Sequence, residues 1–320
     1  MGTKRYIKRV ILLIILLLAS LSLHIFYGID LKNNPMDILI LTQIRIPRAL
    51  LGLIVGGGLA LCGAALQGVF RNSLVEPYTL GISGGSALGI AIAIILPFSK
   101  IFGSFFIIIN GFFGSLIAFF VLYYIAIKNR KLDINNLLLI GVMISFISSS
   151  ILMLILAISK VENLHGIIFW MMGSLSNSEN GLNYPLAIIF ILGFIILYIY
   201  SNQLNAIQLG FEKSHTLGVD VEKIIKTTII ISSLITASIV SVTGMIGFVG
   251  LIVPNLMKKI FYNDFRILFI TSFISGGVFL ILSDFIASKI IYPNELPVGV
   301  VTGILGGIFF IYTFKKERKI

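Results

Sequence analysis

Charged residues are scarce in this chain of 320 residues, of which only 12% are Asp, Glu, Lys or Arg. A soluble domain carries about 25%, so this composition excludes an ordinary soluble protein. Hydrophobic residues make up 58% of the chain, and the mean hydropathy is +1.06. Apolar runs of the roughly 20 residues that cross a bilayer recur along its length. We therefore predict an all-α polytopic membrane protein that forms one integral domain over residues 1–320.

Cysteine and histidine are also rare. Cys62 is the only cysteine and lies in an apolar run, which excludes an intrachain disulfide and predicts a small packing residue. The three histidines lie in different segments, without metal-ligand spacing. In the loop 159–183, His165 and Trp170 are more typical of anchors on a short interfacial helix than of ligands.

Motifs for ATP hydrolysis and for catalysis are absent. The sequence contains no G-x-x-x-x-G-K-[ST] phosphate loop and no nucleophile–base constellation. We therefore expect no enzyme activity and no cofactor in this chain.

The apolar runs predict the membrane topology. A basic N-terminus precedes the first run, which is long and lacks a small-x-small cleavage site, so we expect a retained span rather than a signal peptide. The run 247–261 is short and contains Pro254, which predicts a tilted or partial helix. We predict about ten transmembrane helices, at 9–27, 49–69, 79–97, 101–127, 137–158, 184–201, 226–244, 247–261, 267–289 and 297–314.

The basic residues orient these spans. With ten crossings, 18 of the 24 lysines and arginines fall on the side of the two termini and 6 on the other. Because Lys and Arg concentrate in cytoplasmic loops, both termini are expected in the cytoplasm. This bias also accounts for the net charge of +11 without a nucleic-acid partner. The outer loops are predicted at 28–48, 98–100, 159–183, the bend near 245, and 290–296.

The stretch Arg45–Gly89 reads as two spans joined by a polar turn. Gly52-x-x-x-Gly56 and Gly85-x-x-x-Gly89 have the spacing that lets helix backbones approach closely. The connecting turn Arg71–Pro77 is predicted on the cytoplasmic side, and its residues Asn72, Leu74 and Pro77 are candidates for a cytoplasmic turn or gate.

Gln67 and Asp284 are among the few polar residues inside the apolar runs, with Asn110 and the cluster Ser148–Ser150. An ionised Asp at a helix centre costs roughly 2.5–3.5 kcal/mol on insertion scales, so Asp284 should face protein or water. A hydrogen bond to a neighbouring helix is favoured over a proton relay, because no second intramembrane acid accompanies it.

The longest cytoplasmic connection, 202–225, contains the pairs Leu209-Gly210 and Leu217-Gly218 with charges such as Glu212 between them. Glycine commonly ends helices, so this pattern predicts two short amphipathic helices. We interpret it as a docking surface for a cytoplasmic partner rather than as an ordinary solvated loop.

Four ordered motifs carry a resemblance over nearly the whole chain. They are Arg45-Ile46-Pro47-Arg48 with Gly63-Ala64-Ala65-Leu66-Gln67, Arg71–Pro77 with Leu80–Gly85, Gly244–Pro254, and Glu295-Leu296-Pro297-Val298-Gly299. Together they resemble the FecCD-type permease subunits of ABC importers for iron-siderophores, haem and cobalamin, which have a type II importer fold.

The resemblance implies a set of partners and a location. A second permease subunit (a homodimer is expected), two cytoplasmic ATPase subunits that bind ATP, and an extracytoplasmic binding protein would complete the importer. The location implied is the cytoplasmic membrane of a prokaryote, in contact with its lipid.

The resemblance also implies residue roles. Arg45 and Arg48 match arginines that pair with glutamates of the binding protein, and Lys289 stands beside Ser288, where the family has a third arginine. The segment with Leu209, Gly210, Glu212, Leu217 and Gly218 matches the ATPase-coupling helices. Ser73, Asn255 and Ile308 depart from the family pattern and put local geometry in question.

Two alternative functions are compatible with the sequence. An ion-coupled secondary transporter would use Asp284, and uptake that survives ATPase removal but collapses with a protonophore would favour it. A membrane scaffold without transport activity would be excluded by loss of uptake when this subunit alone is deleted.

Overall fold

The computed structural model describes residues 3–28, 35–96, 98–128, 131–132, 134–176, 183–261, 263–291 and 294–317. The outer-loop predictions at 29–34, 177–182 and 292–293 therefore lie outside the described residues.

Helices make up nearly all of the described chain. A π-helical turn, Leu41–Arg45, precedes α3, a 3₁₀ turn, Pro77–Leu80, precedes α4, and two-residue strands β1 (Ile127–Lys128) and β2 (Lys131–Leu132) pair antiparallel between α5 and α6. The helices are α1 Thr3–Phe26, α2 Pro35–Ile40, α3 Ile46–Phe70, α4 Ile82–Ile95, α5 Ser99–Ala126, α6 Ile134–Ile158, α7 Val161–Met171, α8 Asn183–Ile199, α9 Ser201–Ile207, α10 Phe211–Thr216, α11 Val221–Thr243, α12 Val249–Phe261, α13 Phe265–Ile290 and α14 Val298–Glu317.

Each predicted span coincides with a helix, which confirms the all-α membrane fold. Six helices of the described residues are by themselves long and apolar enough to cross a bilayer, and α8 with α9 forms a seventh candidate bent by 52°. The short interfacial helix expected in the loop 159–183 is α7.

Helix α3 packs antiparallel against α13 through a seam of glycines. A Cβ on Gly56 would lie 2.3 Å from the carbonyl oxygen of Gly276, and a Cβ on Gly276 would lie 2.3 Å from that of Gly56. A side chain at either position would force the backbones apart, so the glycines set the distance between the two helices. Gly85 of α4 and Gly114 of α5 form a similar reciprocal contact.

The bend near 245 is packed against other segments of the chain, and its assignment as an outer loop stays a prediction. Ile246 is fully buried, and its N–H and carbonyl both bond the Tyr78 hydroxyl at 3.1 Å. Helix α12, which follows, has 13 residues and is about 20 Å long. It is too short to cross a hydrocarbon layer of about 30 Å by itself, as expected for a tilted or partial helix.

Candidate functional site

A buried ion cluster lies at the predicted outer end of α3 and α13. The Arg48 guanidinium donates to both carboxylate oxygens of Asp284, from Nε at 2.7 Å and from Nη2 at 2.9 Å. Its Nη1 donates to Glu295 at 2.7 Å, and His24 Nε2 lies 2.9 Å from Asp284. The cluster therefore joins α1, α3, α13 and the segment that leads into α14.

Arg48 is not a freely presented docking charge. The residue is only 8% exposed, and the planar fork of its guanidinium is occupied by Asp284, in the bidentate geometry that arginine favours. The same bonds hold the carboxylate of Asp284 in place, and this residue is 1% exposed. Its carboxylate is held by neighbouring helices, in agreement with the structural alternative rather than the proton relay.

The other two candidate docking cations lie nearby. Arg45 Nη1 donates to the carbonyls of Ile25 and Tyr27, at 3.0 and 2.6 Å, and so binds the C-terminal end of α1. Lys289 Nζ lies 5.3 Å from the centre of the Tyr27 ring. Together with Arg48 they line a cavity of about 220 Å³ at the predicted outer end, which also includes Ser288 and Glu295. Lys289 thus lies in the cavity that Ser288 lines.

The segment 202–225 forms the two predicted short helices, α9 and α10. Gly210 and Gly218 follow them with φ of 115° and 79°, a backbone region that glycine enters at little cost. The preceding leucines, Leu209 and Leu217, are 60% and 63% exposed. Glu212 lies in the first turn of α10. The coupling segment therefore presents two apolar side chains at the predicted cytoplasmic face.

Polar contacts tie the segment 202–225, the predicted coupling segment, to the predicted inner ends of α3 and α13. Gln208 Nε2 donates to the Gly68 carbonyl at 2.8 Å, and the Arg71 guanidinium lies 5.9 Å from the centre of the Phe211 ring. Asn205 donates to the Asp264 carboxylate at 2.9 Å. Movement of the coupling segment would therefore act directly on both helices.

Asp264 caps the N-terminus of α13. Its carboxylate accepts from the Arg266 backbone N–H at 3.0 Å and from the Arg266 guanidinium. Hydrogen bonds from Arg266, together with that from Asn205, lower the pKa of Asp264 to about 2. The carboxylate form is therefore the one that organises this junction.

The polar turn after α3 is held by side-chain bonds. Asn72 Oδ1 accepts from the Leu74 N–H at 2.9 Å, and Asn255 Nδ2 donates to the Ser73 carbonyl at 2.8 Å. Leu74 is exposed, whereas Pro77 is buried and begins the 3₁₀ turn. Asn255, a departure from the family pattern, therefore has a structural role, because it fixes α12 to the turn.

Gln67 links α3 to α12. Its Nε2 lies 3.2 and 3.3 Å from the carbonyls of Gly250 and Leu251, and its Oε1 accepts from Lys258 Nζ at 2.8 Å. The chain around Gly63 approaches so closely that a Cβ there would lie 1.9 Å from the Gly250 carbonyl oxygen. The side-chain amide of Gln67 thus joins α3 to α12 by hydrogen bonds.

Sequence reasoning missed four contributors to these sites. Glu295 was recognised only as part of a motif, and His24 only as an isolated histidine. Asn205 and Gln208 were read as loop residues. The signal that could have identified Glu295 is its position: it is an acidic residue directly before a span, on the side where Arg45 and Arg48 lie.

Comparisons with known proteins show the family of the chain. The sequence profile of the FecCD transport family matches residues 9–316. The chain is 36% identical over 280 residues to the cobalamin import system permease protein BtuC of Halobacterium salinarum, covering 87% of this chain and 74% of that protein. It is 32% identical to the hemin transport system permease protein HmuU of Yersinia pestis, covering 87% and 83%. A solved structure described as an inward-facing metal-chelate type ABC transporter matches with a TM-score of 0.88 and 29% identity, covering 97% of this chain and 100% of that chain.

Proposed function

The chain belongs to the FecCD transport family, and we propose that it is the membrane-spanning permease subunit of a binding-protein-dependent ABC importer. The ligand class that we propose is an iron chelate, haem or cobalamin. ATP would be hydrolysed by separate cytoplasmic subunits. A second copy of this chain would complete the pathway across the cytoplasmic membrane of a prokaryote, with both termini in the cytoplasm.

The coupling segment is the observation that carries this proposal. Leu209 and Leu217 are exposed on a segment whose polar residues bind the ends of α3 and α13. A partner that binds the two leucines can therefore move α3 and α13, the helices that carry Arg48 and Asp284 of the outer ion cluster. This arrangement fits a subunit driven by a cytoplasmic ATPase, and no such contact is needed by an ion-coupled transporter.

The outer cavity supports the second partner. Arg45 and Lys289 place cationic groups on the wall of a cavity of about 220 Å³, where acidic side chains of a binding protein can enter. We keep Arg45 and Lys289 as direct docking residues, and we assign Arg48 to the floor of the site. The rival that used Asp284 as an ion carrier loses its motivation, because that carboxylate is bound by Arg48 and His24.

Uptake by reconstituted vesicles tests the function. The permease and its ATPase subunits are placed in proteoliposomes containing ATP, and hemin, cobalamin and a ferric siderophore are offered with a binding protein outside. We expect ATP-dependent uptake of one ligand class and loss of most of it in Leu209→Asp/Leu217→Asp. Uptake that continues without the ATPase subunits and stops with a protonophore would contradict the proposal.

A further inference from the structure

His165 lies on α7, the short helix at the predicted outer face, and the residue is exposed. Its ring packs against the ring of Phe169 one turn later, with 4.2 Å between the ring centres. Among the described residues, its two ring nitrogens take part in no hydrogen bond or ion pair. Neutral imidazole is the commonest metal ligand in proteins, so His165 presents a lone pair that no group of the described chain uses.

A cavity opens beside this histidine, and we call it the α7 cavity. Its volume is about 510 Å³, which is within the range of small-molecule sites. Phe169, whose ring contacts His165, is 48% exposed and forms part of its wall. The imidazole therefore lies at the edge of a space suited to a large, mostly apolar ligand. The side chains that make the wall apolar are Ile94, Ile107, Ile108, Phe169 and Trp170.

Gly166 leaves room next to the imidazole and also lines the α7 cavity. Glycine is unfavourable inside a helix relative to alanine, so it usually has a packing or conformational reason. A Cβ at Gly166 would lie 3.8 Å from Ile94 Cδ1, which is an ordinary contact, and the residue is not among the glycines with positive φ. Neither packing nor backbone conformation explains this glycine, whereas a flat ligand bound beside His165 does, because it needs the space of the missing side chain.

The isolation of His165 restricts the metal that it can bind. Among the described residues, no group of three or more His, Cys, Asp or Glu side chains could hold a metal ion. His165 can therefore only complete the coordination shell of a metal that arrives in a chelate. The porphyrin of haem binds iron in one plane and leaves the axial positions for a protein ligand such as His. A hexadentate siderophore leaves no position on its iron, and a corrinoid such as cobalamin carries its own axial base.

We propose that His165 is an axial ligand of haem at the predicted outer face of the permease, with the porphyrin bound against Phe169 in the α7 cavity. The imidazole lone pair forms a bond to the ferric iron as a weakly held water leaves it, so neither the iron nor the protein changes oxidation state. This inference rests on the proposed function and selects haem among its three ligand classes.

The absorption spectrum of hemin tests the bond. Hemin is titrated onto the native chain in nanodiscs, with empty nanodiscs as the reference, and we expect a sharpened Soret band at longer wavelength because imidazole replaces water on the iron. His165→Ala should lose this band and bind hemin about tenfold or more weakly, since even the loss of outer-shell support costs a metal site about that much. Free imidazole added to His165→Ala should restore the band. The control His215→Ala removes an exposed histidine from the predicted inner face and should titrate like the native chain.

A second measurement locates the ligand without a histidine variant. Trp170 is the only tryptophan of the chain and lines the α7 cavity, so bound hemin should quench its fluorescence. Gly166→Leu fills the space beside the imidazole and should require a higher hemin concentration for the same quenching. Iron-free protoporphyrin IX cannot form the bond to His165 and should bind more weakly than hemin. A native Soret band and affinity in His165→Ala, or equal binding of hemin and iron-free protoporphyrin IX, would overturn the inference and leave His165 as an interfacial anchor.

Neither measurement involves transport, so the inference and the proposed function can fail separately. ATP-dependent uptake of cobalamin or a ferric siderophore, without a bond between hemin iron and His165, refutes this inference alone. Hemin coordination by His165 without ATP-dependent uptake of any offered ligand refutes the proposed function.

Discussion

The pairing of Arg48 with Asp284 makes a prediction about stability. Each partner is changed alone to a residue of similar size without charge, as Arg48→Met and Asp284→Leu, and then both are changed together. Each single variant removes both hydrogen bonds of the pair and leaves the other buried charge with only its weaker partner, Glu295 for Arg48 or His24 for Asp284. The double variant removes both charges and keeps the volume roughly constant.

The structure sets the expected magnitude. Both side chains are buried, at 10% and 1% exposure, and they share two hydrogen bonds. Removal of one partner of such a pair costs about 3–5 kcal/mol, whereas its replacement by apolar residues is often neutral. With about 2 °C per kcal/mol for a large chain, each single variant should melt about 6–10 °C below the native protein. The double variant should recover most of that loss.

Thermal unfolding in detergent, followed by circular dichroism, measures these shifts, with Lys289→Gln as the control for loss of a more exposed outer cation. The reasoning would be refuted by single variants that melt like the control. It would also fail if the double variant lost as much as the two single changes added together, because the pair would then have no mutual dependence.

Three further outcomes follow from the same contacts. Gly56→Ala should destabilise the chain by about 1–3 kcal/mol through overpacking, whereas Gly303→Ala, with no atom within 4 Å of its Cβ, should be neutral in the same melting assay. Leu209→Asp should reduce ATPase-subunit binding in a pull-down, with the native chain's overall melting temperature retained. Because its pKa is lowered to about 2, Asp264 should contribute stability above pH 4 and lose it as the pH falls toward 2, so Asp264→Asn should flatten the acid limb of a stability–pH curve.

Local patterns predicted much of this architecture. The length of the apolar runs predicts the long helices and the short α12. The two Leu-Gly pairs predict the glycine-ended helices α9 and α10. Both signals are patterns of residues close together in the sequence. The sidedness of the spans and the choice of partners remain predictions, based on charge counts and on the resemblance.

The role of Arg48 could not be read in the same way. Arg48 and Asp284 are 236 positions apart, and they meet because the glycine seam sets α3 antiparallel to α13 in one register. The sequence does not reveal this packing register. It shows only that Arg48 lies near a predicted outer loop, and this position favours the prediction of an exposed docking charge. The packing of the bend near 245 could not be predicted for a related reason, since it depends on hydrogen bonds between Ile246 and the distant Tyr78 hydroxyl.

The glycine seam has a mechanical consequence. Helix α3 has 25 residues and is about 37 Å long, with the ion cluster near one end and the Gly68 carbonyl that binds Gln208 near the other. Because the backbones of α3 and α13 are in direct contact, we expect the two helices to tilt together as one rigid body rather than to bend separately. A rotation of about 5° around the middle of such a body moves each end by roughly 1.6 Å. That travel is about half a hydrogen-bond length, so a small push on one face of the membrane suffices to make or break contacts on the other.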